Sequence, residues 1–292
     1  MQQYWLLLLL MTLKDLEHYF CTAIAPVYGA EEAAQLFYIT ADYVAGLSRV
    51  QVLINKDMEI SDGQYHDYEN ILAELKLGRP VQHILSQSWF YGLKFKVNSS
   101  VLIPRPETEE LVSWIISSVR ESKVPAADLL DIGTGSGCIA VALKKELAHL
   151  SVSAMDISEQ ALAVATENAA FHQTAINFIH ADILSWQSEA RYDLMVSNPP
   201  YIKEDERAAM DSHVLDHEPH TALFVTDANP LIFYNRIADL ALTHLRPNGK
   251  LFFEINEYLG NETVDMLSGK GFTSIELRKD MQGKNRMICC SL

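Results

Sequence analysis

The chain has 292 residues, of which 49% are hydrophobic and 21% charged, and its formal net charge at pH 7 is −15. This length and composition indicate a globular protein with one large or two smaller domains. The excess of acidic residues argues against electrostatic binding to the phosphate backbone of nucleic acid. The four cysteines include no C-x-x-C pair or histidine pairing of the kind that binds zinc, so we predict a reduced, cytoplasmic protein without a metal.

The first ten residues stand apart from the rest of the chain. The run Trp5–Leu10 is apolar, but it is too short to span a membrane and lacks the basic residues and the cleavage site of a signal peptide. Thr12 is suited to cap a helix, with Asp15 at the third position of that helix. We therefore interpret residues 1–10 as an extension and predict that the folded protein begins at Met11.

The next segment is predicted to be helical. Apolar residues recur at helical spacing over Leu13–Val27, over Glu31–Ala45 and over Ser61–Leu77, and glycines follow the first and last of these stretches. Such stripes are typical of the core of a small bundle. We predict an N-terminal helical domain over residues 11–85.

A change of period follows the helical segment. Every second residue is apolar over residues 89–97, which is the spacing of a strand. The run Asn98–Ser100 predicts a turn into a second short strand, Val101–Ile103. We therefore predict a β-hairpin over residues 86–104, which links the helical domain to a second domain over residues 105–292.

The second domain alternates strands with helices, which indicates a parallel sheet. The predicted strands are Asp128–Ile132, Ser151–Met155, Ile176–His180, Tyr192–Ser197, Gly249–Ile255, Phe272–Leu277 and Asn285–Cys290. The predicted helices are Thr108–Val119, a helix that begins at Cys138, Leu231–His244 and Glu262–Leu267. No helix is predicted between the last two strands, so they are expected to form a hairpin.

A glycine-rich loop follows the first of these strands. It reads Gly133-Thr134-Gly135-Ser136-Gly137. Glycines at alternate positions let the backbone turn tightly and let a ligand approach it closely. The spacing differs from the G-x-G-x-x-G of dinucleotide-binding proteins.

Acidic residues follow the next two strands. Asp156 lies roughly 20 residues beyond the glycine loop, a spacing suited to an acceptor for a ribose diol. Asp182 follows the third strand and is a candidate acceptor for an adenine amino group. Either acid alone is more often an ordinary strand-end or helix-capping carboxylate. Their order after three consecutive strands favours a ligand site.

The fourth strand ends in Asn198-Pro199-Pro200-Tyr201. Two prolines cannot continue a sheet ladder, so Asn198 is presented at the carboxyl end of the strand, where ligands bind in open α/β sheets. An amide, two prolyl carbonyls and an aromatic ring suit a planar NH2 group. The alternative interpretation is a rigid Asn-Pro turn.

In combination these motifs resemble those of class I S-adenosylmethionine-dependent methyltransferases that act on planar nitrogens. Other segments resemble the bacterial glutamine N5-methyltransferases of peptide chain release factors: Gly78–Gln82, Leu102–Glu109, Glu218-Pro219, Ala222-Leu223 and Asp280–Arg286. Two positions depart from that pattern. Ile183 replaces an aromatic residue that some members carry, and His217 stands where an aromatic or aliphatic residue is more usual.

The resemblance implies a fold and a site. The fold is a Rossmann-like α/β sheet of seven strands with an antiparallel last strand, and the helical domain would hold a release factor. S-adenosyl-L-methionine would be the cofactor, converted to S-adenosyl-L-homocysteine. The implied cofactor-binding residues are Asp131, Gly133, Thr134, Gly135, Ser136, Gly137, Asp156, Asp182, Ile183 and Asn198.

The implied catalytic residues are Asn198, Pro199, Pro200 and Tyr201. The Asn198 side-chain oxygen and the Pro199 carbonyl would accept the N–H groups of the substrate amide, and Tyr201 would pack against it. Arg105 and Glu107 are predicted either to close the pocket or to stiffen the linker.

Two other functions stay open at this point. A methyltransferase of exocyclic amines in nucleic acid would need a basic target-recognition region, whereas residues 203–220 hold six acids and two bases. The acids are Glu204, Asp205, Glu206, Asp211, Asp216 and Glu218. A non-catalytic cofactor-binding adaptor would retain Asn198-Pro-Pro-Tyr only as a structural turn.

Overall fold

The computed structural model describes residues 11–122, 127–209 and 217–292. The predictions for residues 1–10, and for Asp211 and Asp216, lie outside this range. The described chain forms two compact units. The first contains residues 11–86 and His217, and the second contains the other described residues from Gln87 onward. The division into an extension, a helical domain, a hairpin linker and a catalytic domain stays a prediction.

The first unit is helical. Its helices are α1 (Leu13–Tyr28), α2 (Ala30–Ala45), α3 (Arg49–Ile54), α4 (Asp62–Lys76) and α5 (Val81–Leu85). The predicted cap of the first helix is confirmed, because the Thr12 hydroxyl accepts from the Asp15 amide and the Asp15 side chain accepts from the Thr12 backbone. The rings of Phe20, Phe37 and Tyr68 meet in the core of this unit, where they bury apolar area between three helices.

A hairpin opens the second unit, but its turn differs from the prediction. Strands β1 (Gln87–Phe90) and β2 (Leu93–Lys96) pair antiparallel. The turn lies at Tyr91-Gly92, where both residues have positive φ, as a two-residue turn between twisted strands requires. A turn does form at Asn98–Ser100 as predicted, because the Val101 amide donates to the Asn98 carbonyl at 3.2 Å. No strand follows over Val101–Ile103, so the prediction that this turn belongs to the hairpin is wrong.

A sheet of seven strands forms the second unit. In chain order they are β3 (Asp128–Ile132), β4 (Ser151–Asp156), β5 (Ile176–His180), β6 (Tyr192–Ser197), and, after the short pair β7 (Ile202–Lys203) and β8 (Phe224–Val225), β9 (Leu245–Glu254), β10 (Thr273–Lys279) and β11 (Asn285–Ser291). The spatial order is β10-β11-β9-β6-β3-β4-β5, and β11 runs antiparallel to both neighbours. The predicted strand count and antiparallel last strand are confirmed.

Helices cover both faces of this sheet. They are α6 (Pro106–Glu121), α7 (Cys138–Glu146), α8 (Glu159–Phe171), α9 (Ile232–His244) and α10 (Gly260–Gly269). Leu129 belongs to the core on the side of α6 and α7, whereas its neighbour Leu130 belongs to the core on the side of α9. Strands buried on both faces read as continuous apolar runs, which is how they were predicted.

The position of a ligand site follows from the strand order. The strand β3 lies between β4 on one side and β6 on the other, and all three are parallel. From β3 the chain continues to β4 and β5 on one side of the sheet, and then returns to place β6 on the other side of β3. At such a change of direction a crevice opens at the carboxyl ends of the two adjacent strands, here β3 and β6. None of the helices within the described ranges combines the length and apolar character needed to cross a membrane.

Candidate active site

The glycine loop lies at the carboxyl end of β3. Gly133 and Gly135 have φ of +74° and +54°, and no protein atom lies within 4 Å of a Cβ built at either position. The amides of Gly133 and Thr134 both donate to the Met155 carbonyl at 2.9 Å, which anchors the loop to β4. The two glycines thus leave open space beside a fixed backbone.

Gly137 has a different part in the same loop. Its φ is +80°, and an added Cβ would lie 3.0 Å from the Cβ of Ala165. This glycine lets the start of α7 pack against α8. It does not line the cavity described below.

Asp156 is held by two backbone amides. Its Oδ2 accepts from the Gly135 amide and its Oδ1 from the Ser158 amide, each at 2.9 Å. A carboxylate oxygen has more than one lone pair, so both oxygens can still accept from a ligand hydroxyl. The side chain stands at the end of β4, facing the crevice.

Asp131 lies behind the loop. Its side chain is fully buried, and its Oδ2 accepts from the Thr134 hydroxyl at 2.7 Å. Burial raises the pKa of this carboxyl group to about 7, although the Thr134 hydrogen bond opposes the shift. Thr134, not Asp131, forms the cavity wall, so Asp131 acts on the loop through Thr134.

A cavity of about 390 Å³ occupies the crevice, within the usual range for small-molecule sites. Ten of the sequence-predicted residues line it: Gly133, Thr134, Gly135, Ser136, Asp156, Asp182, Ile183, Asn198, Pro199 and Pro200. The other three, Asp131, Gly137 and Tyr201, do not. The fold thus brings strand ends that are distant in sequence to one cavity.

The third acid and its neighbour lie on one side of this cavity. Oδ1 of Asp182 accepts from the Leu184 amide at 2.9 Å. Nε of Arg236 donates to the Ile183 carbonyl at 3.0 Å, which fixes the segment from the side of α9. Ile183 is buried, so an aliphatic surface stands where some relatives of the predicted family carry an aromatic ring.

Asn198 is tied to two residues that the sequence did not single out for this site. Its Nδ2 lies 3.3 Å from Oγ1 of Thr108, and that hydroxyl donates to Oε2 of Glu254 at 2.6 Å. The Tyr201 hydroxyl donates to Oε1 of the same carboxylate at 3.2 Å. Tyr201 is thereby directed toward Glu254, and its predicted packing on the substrate amide stays a prediction.

Arg105 also lines the cavity. Its Nη2 lies 2.5 Å from Oε1 of Glu218, and the Glu218 side chain is almost fully buried. Burial raises the pKa of Glu218, whereas the Arg105 guanidinium opposes that rise. Glu107 does not line the cavity; it accepts from Gln282 at 3.4 Å. Of the two linker residues, only Arg105 is placed to act on a ligand.

Comparisons with known proteins place the chain in a family. Residues 113–221 match the family model of the methyltransferase small domain, and residues 27–85 match that of the PrmC N-terminal domain. A release factor glutamine methyltransferase of Flavobacterium psychrophilum is 43% identical, with 95% of this chain and 98% of the relative covered. The chain belongs to the release factor glutamine methyltransferase family. A relative of the same description from Bacteroides thetaiotaomicron is 40% identical, with 92% and 96% covered.

Solved structures agree on the fold of this family member. The 16S rRNA methyltransferase RsmC of T. Thermophilus, solved with AdoMet and guanosine, has a TM-score of 0.51 at 17% identity, with 70% of this chain and 49% of that chain covered. At this identity the likeness shows the Rossmann-like class I methyltransferase fold alone. Family and fold together identify the protein as a methyltransferase.

The sequence did not predict that Thr108 and Glu254 form hydrogen bonds beside Asn198 in the site of this family member. Thr108 was noted as the start of a predicted helix and for the resemblance of its segment, not as a site residue, and Glu254 is the last residue of β9. An acid among the apolar residues 251–255 of a predicted strand was the available signal. Both side chains are buried, with 3% and 1% exposed, and buried acids need partners.

Proposed function

We propose that this protein transfers a methyl group from S-adenosyl-L-methionine to the side-chain amide nitrogen (N5) of a glutamine in peptide chain release factors, and so modulates translation termination. The observation that carries the proposal is the placement of Asn198, Pro199 and Pro200 in the wall of the cavity that also holds the glycine loop. The names of the relatives supply the substrate.

The cavity fits the proposed cofactor. Gly133 and Gly135 leave room where any side chain would protrude, and we assign the methionine end to that backbone. Asp156 has carboxylate oxygens for the ribose hydroxyls, and Asp182 with Ile183 is assigned to the adenine. When bound, the cofactor supplies an electrophilic sulfonium methyl group.

The chain's own residues act on the nucleophile. An amide nitrogen is a poor nucleophile because its lone pair is delocalised into the carbonyl. If Oδ1 of Asn198 and the carbonyl of Pro199 accept its two N–H groups, the nitrogen is aimed and its electron density is localised. Alignment lowers the barrier, and both acceptors bind more strongly as positive charge develops on nitrogen. The nitrogen–methyl bond would form as the methyl–sulfur bond breaks, which leaves S-adenosyl-L-homocysteine, and the methylated nitrogen would lose one proton to solvent.

We assign the first unit to binding of the release factor. It contains the match to the PrmC N-terminal domain. Helix α3 exposes Val50 and Ile54 by 66% and 73%, and exposed apolar side chains that lie together are a feature of protein-binding surfaces. The net charge of −15 is unfavourable for a nucleic-acid substrate.

The test is a comparison of three substrates with a labelled methyl group. They are a release factor, the same factor with its target glutamine replaced, and a DNA duplex. We expect label only in the intact release factor. Equal labelling of the factor without its glutamine, or labelling of the DNA, would contradict the proposal.

A further inference from the structure

The hydrogen bonds behind Asn198 have a defined direction. They join the residue after β6, the third residue of α6 and the last residue of β9. Two hydroxyls, those of Thr108 and Tyr201, meet the two oxygens of the Glu254 carboxylate. A carboxylate only accepts, so each hydroxyl must donate its single proton to Glu254.

This direction determines what Thr108 offers to Asn198. Once its proton is given to Glu254, the Thr108 oxygen has only lone pairs left and must accept. The Asn198 group that faces it is then the NH2, in agreement with the Nδ2 distance of 3.3 Å. The Asn198 oxygen is thereby turned away from Thr108.

The orientation matters because the two ends of an amide have nearly the same shape. A 180° flip of Asn198 would fit the same space but would present N–H groups to the N–H groups of a substrate amide. Two N–H groups that face each other repel, so the flipped Asn198 would lose its hydrogen bond to the substrate amide. Burial is the largest influence on Glu254 and raises its pKa, whereas the hydrogen bond from Thr108 and the charge of Arg286 oppose that rise and stabilise the carboxylate form.

We propose that Thr108 and Glu254 are positioning residues that hold the Asn198 amide with its oxygen toward the substrate. This inference rests on the proposed function, in which Asn198 accepts from an amide nitrogen. Glu254 does not line the cavity, and Thr108 lies in its wall but is only 3% exposed, so neither residue is assigned a contact with substrate. Their effect should therefore fall on turnover, not on cofactor binding.

The test uses four variants of the full chain. Thr108→Val removes the hydroxyl at nearly constant shape, Thr108→Ser keeps it, and Glu254→Gln replaces an acceptor-only group by one that can also donate. Thr263→Val is the matched control, because Thr263 is fully buried and its hydroxyl donates to the Leu259 carbonyl at 2.7 Å in α10.

We expect Thr108→Val to lower kcat for release factor methylation about 10- to 100-fold. KM and the Kd for S-adenosyl-L-homocysteine should stay within about threefold. Thr108→Ser should recover most of kcat. The kcat of Glu254→Gln should lie between those of Thr108→Val and Thr108→Ser, and the kcat of Thr263→Val should match the wild type. A normal kcat in Thr108→Val or in Glu254→Gln, or no recovery in Thr108→Ser, would overturn the inference.

A second readout needs no substrate. In 15N-labelled protein, the Asn198 NH2 resonances are assigned by their loss in Asn198→Asp. We expect them to shift in Thr108→Val and to keep their positions in Thr108→Ser and Thr263→Val; unchanged resonances in Thr108→Val would overturn the inference. An inactive wild type with this spectral pattern would instead contradict the proposed function and leave the positioning supported.

Discussion

The Gly135 amide donates a hydrogen bond of 2.9 Å to Oδ2 of Asp156. The bond joins the loop after β3 to the end of the neighbouring strand β4. Because the Ser158 amide holds the other oxygen at the same distance, the carboxylate is fixed before any ligand arrives. One side chain therefore shapes the glycine loop and faces the site assigned to the ribose.

Replacement of Asp156 should weaken cofactor binding in two ways, because the glycine loop loses a hydrogen bond and the ribose loses an acceptor. We expect Asp156→Ala to lose about 1.5–3 kcal/mol of binding free energy for S-adenosyl-L-homocysteine, the usual range for hydrogen bonds to a charged group. Asp156→Asn keeps an acceptor for the Gly135 amide and should lose less. Titration calorimetry measures both, and unchanged affinity in folded Asp156→Ala would reject the assignment.

Two glycines of one loop should respond differently to alanine. Gly133→Ala meets only backbone strain, about 1 kcal/mol of stability, but adds a methyl group in the open space of the cavity wall. Gly137→Ala adds a contact of 3.0 Å with Ala165 and should lose about 1–3 kcal/mol more. Denaturant unfolding should therefore show the larger loss of stability in Gly137→Ala. Titration calorimetry should show the larger loss of affinity for S-adenosyl-L-homocysteine in Gly133→Ala. The same order in both measurements would contradict the division of roles.

Asp131 should make stability depend on pH. Its pKa of about 7 in the folded protein lies above the ordinary value of 3.8, so folding takes up a proton between these values. The stabilisation is fully present below the unfolded pKa and is lost as pH rises toward 7.

Asp131→Asn does not titrate but keeps an acceptor for Thr134. Its stability relative to the wild type should rise by about 2–3 kcal/mol between pH 5 and pH 8. Buried Glu218 and Glu254 are present in both proteins, so their titration cancels in the comparison. A constant difference in unfolding free energy across this range would show that Asp131 titrates normally.

Asn198 should separate chemistry from binding. Asn198→Ala removes the proposed acceptor and leaves the glycine loop and Asp156 intact. We expect a modest loss of cofactor affinity and a fall in kcat by orders of magnitude, because the acceptor binds most strongly in the transition state. Asn198→Asp keeps an oxygen but adds a charge near the sulfonium and should also be poorly active. Near-normal turnover by Asn198→Ala would reject the mechanism.

The sheet was predictable because its signals are local. Tyr192–Ser197 is a largely buried apolar run that ends before two prolines. Ile176–His180 is a shorter apolar run. The structure has both strands at the predicted bounds. The hairpin was harder. Its apolar alternation was assigned to every second residue from Trp89 to Val97. Phe95 of that set is fully buried, but Trp89 is 58% exposed, and Phe90, which is outside the set, is fully buried.

The site was predictable only in part. Motif residues at strand ends, such as Asp156 and Asn198, were found because parallel strands bring their carboxyl ends to one edge. Thr108 and Glu254 lie 146 positions apart in the chain, and no spacing rule links them. Their hydrogen bond exists only after the sheet has formed, so it required the structure.

The most direct test of the central claim is the chemical position of the transferred methyl group. A release factor labelled by this protein is hydrolysed in acid, which cleaves an N-methyl amide to methylamine and a carboxylic acid. We predict that the label is recovered as methylamine and that the modified residue is recovered as glutamate. Label released as methanol, which indicates a carboxyl ester, or label retained on a basic side chain would contradict transfer to a glutamine amide.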